Sequence, residues 1–171
     1  MARTVIYHSP SLRDRWPKLA KHWRRKYPQL FDVDDVRLTR TQPKNHFREW
    51  AAAIHVYRKH GACVLVEKYN ARKSHPRKRA LYESLLSPQQ RDVLDRICMH
   101  VQPPDLLVYR PGSKRFWFVE VKGEREPISP KQVRSHRLIA QKLRVRVDLV
   151  EVRIGARSLP NMRLKLAARV D

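Results

Sequence analysis

Three charged residues, Asp105, Glu120 and Lys122, stand in a segment that is otherwise rich in β-branched and aromatic side chains. The apolar runs predict two strands, and Pro111-Gly112-Ser113 between them predicts the turn of a hairpin. Side chains alternate along a strand, so Glu120 and Lys122 share one face while Val121 points the other way. The spacing therefore brings a carboxylate and an ammonium group to the same face of one strand.

The pairing of the two strands decides where Asp105 lies. If Asp105 is opposite Glu120, Tyr109 is opposite Phe116 and the loop spans 110–115. A tighter turn would move the register by two residues, and Asp105 would keep its face because faces repeat every two residues. In either register, two carboxylates and one ammonium group converge.

Converging carboxylates need a compensating charge, because like charges opposite one another destabilise paired strands. A hard divalent cation takes oxygen ligands and would remove the repulsion between Asp105 and Glu120. Such a centre can activate water and stabilise charge on a phosphate group, with Lys122 near the water or the scissile phosphate. The alternative is an ordinary strand end, with Lys122 in a surface salt bridge to one carboxylate.

These motifs resemble the PD-(D/E)xK nucleases, and within them the virus-type replication and repair nuclease (VRR-NUC) branch. The matching segments are Pro104-Asp105-Leu106-Leu107, the run from Phe118 to Gly123, the run from Ile128 to Gln132, and the closing strand over 145–152. The resemblance covers roughly residues 44–154. It departs from the family at Gln102-Pro103 and over 124–127, which leaves the metal ligands intact and the substrate preference open.

The resemblance implies an α/β fold with a restriction-endonuclease-like core, in which a mixed sheet of about four strands is flanked by helices. It also implies that Asp105, Glu120 and the Val121 carbonyl hold Mg²⁺ or Mn²⁺. In the family the first helix often supplies a further acid, and Glu49 is the one acid on that predicted helix. Glu67, at the end of the first predicted strand, is its rival, and Glu49 could instead be a first-turn carboxylate favoured by the helix dipole.

Gln132 has two predicted roles. The sequence Ser129-Pro130-Lys131-Gln132 has Ser at an N-cap, Pro at the first helical position and Gln at the third, which predicts a capping box. In the family, a Gln on the helix after the Lys strand lies near the active site, where its amide could hold water or phosphate. Both roles can hold at once. His136, further along this helix, is predicted to be more exposed.

The composition favours a polyanionic partner. The chain has 38 Lys and Arg residues against 16 Asp and Glu, a formal net charge of +22. Neutralised phosphates release counterions, so this excess favours nucleic-acid binding, with branched or duplex DNA as the expected partner. Charge alone does not separate a nuclease from a passive binder or from a solvated basic surface. Whether two subunits pair as a homodimer to address two strands stays open.

A chain of 171 residues suits one core with additions. We expect an N-terminal helical extension over 1–43, a nuclease core over 44–154 with a basic insertion over 70–102, and a basic tail over 155–171. No run of about 20 apolar residues suits a membrane span, and no apolar signal segment opens the chain. Cys63 and Cys98 are too few and too distant for a disulfide framework. These features predict a cytoplasmic, nucleoid-associated protein.

Hydrophobic spacing predicts the surrounding elements. An amphipathic helix is predicted over 12–27, broken or kinked at Pro17. In the connection that follows, Asp32, Asp34 and Asp35 are expected to cap a helix or lie in a solvated loop, with metal binding as the less favoured alternative. Basic residues over 72–79 could grip a phosphate backbone or form a solvated loop. The later elements are a helix over 46–60, a strand over 62–68, a helix that includes 87–100, a helix from 129 to about 143 and a strand over 145–152.

Together these features predict a Mg²⁺- or Mn²⁺-dependent DNA endonuclease, selective for DNA structure, of repair, recombination or phage-replication type. The alternative among enzymes is an interbacterial or defence nuclease with the same site. The alternative from another class is a non-catalytic, basic nucleic-acid-binding module with a degenerate nuclease fold. The complete set of Asp105, Glu120 and Lys122 disfavours degeneracy.

Overall fold

A computed structural model of the chain describes residues 2–70 and 75–155, so most of the predicted basic tail lies outside the described residues. The elements are β1 (Arg3–His8), α1 (Pro10–Asp14), α2 (Lys18–Lys26), α3 (Val33–Thr41), α4 (Phe47–His60), β2 (Cys63–Val66), α5 (Pro76–Leu85), α6 (Pro88–Ile97), β3 (Leu106–Tyr109), β4 (Phe116–Gly123), α7 (Pro130–Leu143) and β5 (Val147–Ile154). The predicted helices over 46–60, 87–100 and 129–143 correspond to α4, α6 and α7. The division of the chain into extension, core and tail stays a prediction.

The strands form one mixed sheet in the order β1-β5-β4-β3-β2. The pairs β2–β3 and β3–β4 are antiparallel, whereas β4–β5 and β5–β1 are parallel. All eight residues of β4 are buried, as expected for a central strand with both faces covered. The predicted α/β fold with a mixed sheet flanked by helices is therefore confirmed.

The prediction of about four strands was close, and β1 is the fifth. The N-terminal extension was predicted to be helical, but its first element is this strand, which pairs in parallel with β5. The six residues of β1 alternate too weakly to predict a strand by themselves. They form one because the outer edge of β5 offers backbone partners that the local sequence does not reveal.

Two apolar layers cover the sheet. On one face, Trp50 and Ala51 of α4 pack with Val64, Val108 and Val119. On the other face, Ile139 of α7 packs with alternate strand residues, among them Leu65, Leu107 and Phe118. Because Val119 and Val121 face α4, the intervening side chain of Glu120 and that of Lys122 face α7.

The N-terminal helices pack through aromatic side chains. Helices α1 and α2 are separate and flank Pro17, as predicted. The Trp16 ring lies 5.3 Å from the Trp50 ring and 5.8 Å from the Phe47 ring, so the predicted packing role of this apolar stripe is confirmed. Asp32 caps α3 in a reciprocal capping box with Asp35, which confirms the capping interpretation of the acidic cluster.

The predicted basic insertion contains a helix, α5, that local patterns did not predict. Lys78 on α5 was expected in an exposed basic segment, but only 1% of the residue is exposed. Its ammonium group contacts the Asp35 carboxylate and the carbonyls of Val66 and Glu67. Burial of Lys78 became possible because Asp35 supplies a partner from a distant segment.

Candidate metal centre

The hairpin of β3 and β4 has the first of the two registers that the sequence left open, the one with the loop over 110–115. Tyr109 lies opposite Phe116 and Leu106 opposite Val119, and one further step sets Asp105 opposite Glu120. On the other side of β3, the backbone N–H of Glu67 donates to the Asp105 carbonyl at 2.7 Å. Three acidic residues, Glu67, Asp105 and Glu120, therefore lie side by side across neighbouring backbone segments, with Glu120 inside β4 and the other two just outside β2 and β3.

The pKa of Asp105 lies well above the ordinary value for an aspartate. Burial raises it most, and the charges of Glu120 and Glu49 raise it further. A hydrogen bond of 2.8 Å from the Val121 backbone N–H to Asp105 Oδ2 opposes the shift without cancelling it. Carboxylates that disfavour each other's ionisation in this way fit a bound divalent cation, whose charge would stabilise the ionised forms.

Val121 links the two strands through its backbone. Its N–H reaches Asp105, while its side chain packs in the apolar layer beneath α4. In an extended strand the N–H and C=O of one residue point toward the same edge. The Val121 carbonyl is therefore directed toward the edge that carries Asp105.

Glu120 is 3% exposed and lies among three nitrogen groups. Gln132 Nε2 donates to Oε1 at 2.8 Å, and Lys122 Nζ lies 2.8 Å from the same oxygen. His136 Nε2 lies 3.4 Å from Oε2. Burial alone would raise the pKa of Glu120, but His136 and Lys122 outweigh burial and lower it. Glu120 is therefore held as an oriented carboxylate.

Lys122 is 9% exposed, so its salt bridge to Glu120 is a buried one rather than the surface pair of the alternative interpretation. Glu126 Oε1 lies 3.7 Å from the ammonium group on its outer side. Although burial lowers the pKa of Lys122, the contact with Glu120 outweighs burial and raises the pKa. The ammonium group therefore stays charged beside the acidic residues.

Gln132 forms the predicted capping box and also reaches the acidic residues. Its backbone N–H donates to Ser129 Oγ, and its Oε1 accepts from the Ser129 N–H at 3.1 Å. The amide nitrogen of the same side chain donates to Glu120. One residue therefore starts α7 and fixes this helix to a carboxylate of the centre.

His136 was predicted to be more exposed, and this prediction was wrong, because only 4% of the residue is exposed. Neither ring nitrogen makes a geometrically aligned hydrogen bond within the described part of the chain. His136 lies one helical turn after Gln132, so the spacing of four residues could have placed both on one face. The prediction failed because no partner for the imidazole was evident in the local sequence.

Both rival acids lie close to the centre. Glu49 and Glu67, together with His46, have ligand atoms within 4.8 Å of one another. Burial raises the pKa of Glu49, and the charge of Glu67 raises it further. His46, which sequence reasoning missed, places Nδ1 2.9 Å from Glu67 Oε1. His46 is the residue before α4 and has a left-handed backbone conformation. Hydrophobic periodicity in the sequence gives no signal for such a position, which is why the sequence did not point to His46.

Residues 83–153 match the family model described as the VRR-NUC domain. The predicted VRR-NUC resemblance is confirmed. No curated protein matches the chain. The VRR-NUC domain implies a nuclease of the PD-(D/E)xK type, and hence a phosphodiesterase with a nucleic-acid substrate. Within the described ranges, no helix is long and apolar enough to cross a membrane.

The VRR-NUC match includes Asp105, Glu120, Lys122 and Gln132 but begins after Glu49. The acids from both parts of the chain nevertheless line one cavity of about 220 Å³. A second cavity, of about 690 Å³, adjoins it and shares Arg48, Glu49, Gln102, Pro103 and Asp105 as lining residues. The carboxylates thus lie in a small cavity beside a larger one.

Proposed function

We propose that this protein is a Mg²⁺- or Mn²⁺-dependent DNA endonuclease that hydrolyses phosphodiester bonds. The observation that carries the proposal is the convergence of Asp105, Glu120 and Lys122 on one cavity beside Glu49. The net charge of +22 supports a polyanionic substrate, because counterion release drives binding to nucleic acid. We further propose that it selects DNA structure and acts in repair, recombination or phage replication.

The metal ligands in this proposal are the carboxylates of Asp105, Glu120 and Glu49 and the Val121 carbonyl. Glu67 is the rival for the place of Glu49. All of these donor atoms are oxygens, which are the ligands that hard divalent cations such as Mg²⁺ take. A cation bound there would polarise the scissile phosphate and lower the pKa of an attacking water. The mutual repulsion of the carboxylates supports this assignment.

Lys122 and Gln132 act beside these ligands. The Lys122 ammonium group positions the attacking water or stabilises the charge that develops on the phosphate. Gln132 holds Glu120 through its amide nitrogen and fixes α7 to the centre. Burial of Lys122 strengthens its electrostatic effect, because a buried charge is screened less than an exposed one.

The other expectations about context are proposals of the same kind. An interbacterial or defence nuclease would use the same residues, and a homodimer would address both strands of a duplex. A cytoplasmic, nucleoid-associated location would follow from binding to chromosomal DNA.

Purified protein incubated with labelled branched, nicked and linear DNA, with and without Mn²⁺, tests the proposal. We expect metal-dependent cleavage, strongest on the preferred structure, and none by the Glu120→Gln variant. A matching set of RNA substrates would establish which nucleic acid is cleaved. If the wild type binds these DNAs but cleaves none of them with metal, the non-catalytic binding module becomes the better interpretation.

A further inference from the structure

Arg48 joins the start of α4 to the end of β4. Its Nη1 donates to Glu126 Oε2 at 3.2 Å. The same Glu126 oxygen accepts from the Gly123 backbone N–H at 2.9 Å, and the other oxygen lies 3.7 Å from Lys122 Nζ. Glu126 therefore holds the guanidinium group beside the lysine of the metal centre.

Gly123 leaves the space that the guanidinium group occupies. A Cβ at this position would lie 2.6 Å from Nη1 and 2.7 Å from Nη2 of Arg48. Any other residue at 123 would displace the end of the Arg48 side chain. Because residue 123 is a glycine, the backbone directly after Lys122 leaves room for the guanidinium group of Arg48.

The local structure does not favour a cation at position 48. Arg48 lies in the first turn of α4, where the helix dipole disfavours positive charge. The side chains of Arg48 and Glu126 are each close to half exposed. Ion pairs this exposed contribute little to the stability of the fold. The position of Arg48 therefore points to a role other than stability.

Arg48 is directed toward the place where a substrate must lie. It lines both the small cavity of the carboxylates and the adjoining larger one. Among its three side-chain nitrogens, Nη1 alone makes a hydrogen bond to the described residues, so Nε and Nη2 are available to a ligand. A guanidinium group matches phosphate oxygens with paired N–H donors, and charge-assisted bonds of this kind are strong.

We propose that Arg48 binds a backbone phosphate of the substrate strand at the metal centre, with Glu126 and Gly123 as the positions that orient it. The nature of the ligand rests on the proposed function. In this arrangement Arg48 and Lys122 approach the substrate strand from α4 and β4, and Glu126 fixes the spacing between the two cations.

The first test compares Arg48→Ala with Arg110→Ala. Arg110 is exposed in the hairpin turn, at the opposite end of β3 from Asp105, so its loss removes the same charge away from the centre. We expect Arg48→Ala to lower kcat/KM for DNA cleavage about ten- to a hundredfold, the effect of one charged hydrogen-bonding group, and Arg110→Ala to change it less than about twofold. Equal kcat/KM in the two variants would overturn the proposal.

The second test uses Gly123→Ala, which keeps the arginine but displaces its guanidinium group. We expect a loss of kcat/KM similar to that of Arg48→Ala. In the Arg48→Ala background, the same change at Gly123 should have little further effect, because the group it displaces is already gone. Additive losses would mean that Gly123 acts independently of Arg48, which would refute the orienting role.

A binding measurement separates this proposal from the proposed function. With Ca²⁺ in place of Mn²⁺, the dissociation constant of a short single-stranded oligonucleotide should rise more for Arg48→Ala than for Arg110→Ala. If the wild type does not cleave DNA but this difference in affinity is found, the nuclease proposal fails and the phosphate site stands. If the wild type cleaves and both variants bind equally, the phosphate site fails and the nuclease proposal stands.

Discussion

Among the residues that the structure describes, two buried pairs of carboxylate and lysine differ in what surrounds them. Lys78 is enclosed by the Asp35 carboxylate and two backbone carbonyls, and neither Asp35 nor Lys78 lines the described cavities. Lys122 and Glu120 line a cavity that also contains further carboxylates. A buried ion pair by itself thus indicates only a satisfied core. Several carboxylates that are partly buried and line an open cavity are instead the arrangement that we propose holds a cation.

The pKa shifts of the two paired carboxylates, Asp35 and Glu120, have opposite directions. Burial raises the pKa of Asp35 to about 6, although the charge of Lys78 opposes the shift. The pKa of Glu120 is lowered, because His136 and Lys122 outweigh burial. The pKa of Asp105, by contrast, is raised well above the ordinary value, because burial and the charges of Glu120 and Glu49 oppose its ionisation.

The largest expected effect is on folding. Lys78→Met leaves the Asp35 carboxylate buried without its cation, which should lower the free energy of unfolding by about 3–5 kcal/mol. Urea unfolding followed by circular dichroism measures this loss. Arg79→Met is the control, since Arg79 pairs with Glu83 in a partly exposed position and its loss should cost less than about 1 kcal/mol. Equal losses would mean that Lys78 is no more structural than its neighbour.

Lys122→Ala should lower the rate of DNA cleavage rather than the stability of the fold. We expect cleavage to fall at least about a hundredfold, the lower range for a positioned catalytic group, while duplex affinity changes little. Lys142→Ala, which removes an exposed charge at the far end of α7, should leave cleavage near the wild-type rate. A Lys122→Ala protein that cleaves normally, or that loses stability as Lys78→Met does, would remove the distinction between the two pairs.

Metal affinity should also separate the two carboxylates. Glu120→Gln should weaken Mn²⁺ binding at least about tenfold, or about 1.4 kcal/mol, because it removes an ionised oxygen ligand. Asp35→Asn should leave Mn²⁺ binding unchanged. Isothermal titration calorimetry on both variants and the wild type measures the difference, and unchanged heats with Glu120→Gln would show that Glu120 is not a ligand.

The smallest effect is on the pH dependence of stability. The folded pKa of Asp35, about 6, lies above its ordinary value of 3.8, so the folded protein keeps this proton to higher pH. The contribution of Asp35 to stability is therefore greatest below about pH 4 and falls by about 1 kcal/mol or more as the pH rises through 6. Asp35→Asn should remove this part of the dependence. Parallel curves of unfolding free energy against pH for both proteins would contradict the shift.

Features that depend on local patterns could be predicted from the sequence. The capping box at Ser129 follows from short spacings, and alternation limited the register between β3 and β4 to two possibilities, one of which the structure has. The convergence of Asp105, Glu120 and Lys122 followed from the same alternation.

Features that depend on contacts between distant segments could not be predicted. The partner of Lys78 lies 43 residues away, and the partner of Arg48 lies 78 residues away. The carboxylate beside the buried His136 belongs to Glu120 on another element. Each of these residues has an ordinary polar sequence environment, and only the fold brings its partner close.

Strand β1 has a consequence for how the protein can be produced. A recombinant fragment that began at residue 44, where the nuclease resemblance begins, would lack β1 and would leave β5 as an open edge strand. Edges of this kind pair with other copies and promote aggregation. The fragment would also lack Asp35, the counterion of Lys78. Expression for crystallisation or enzymology should therefore retain the first 43 residues, and an affinity tag should be separated from β1 by a flexible linker.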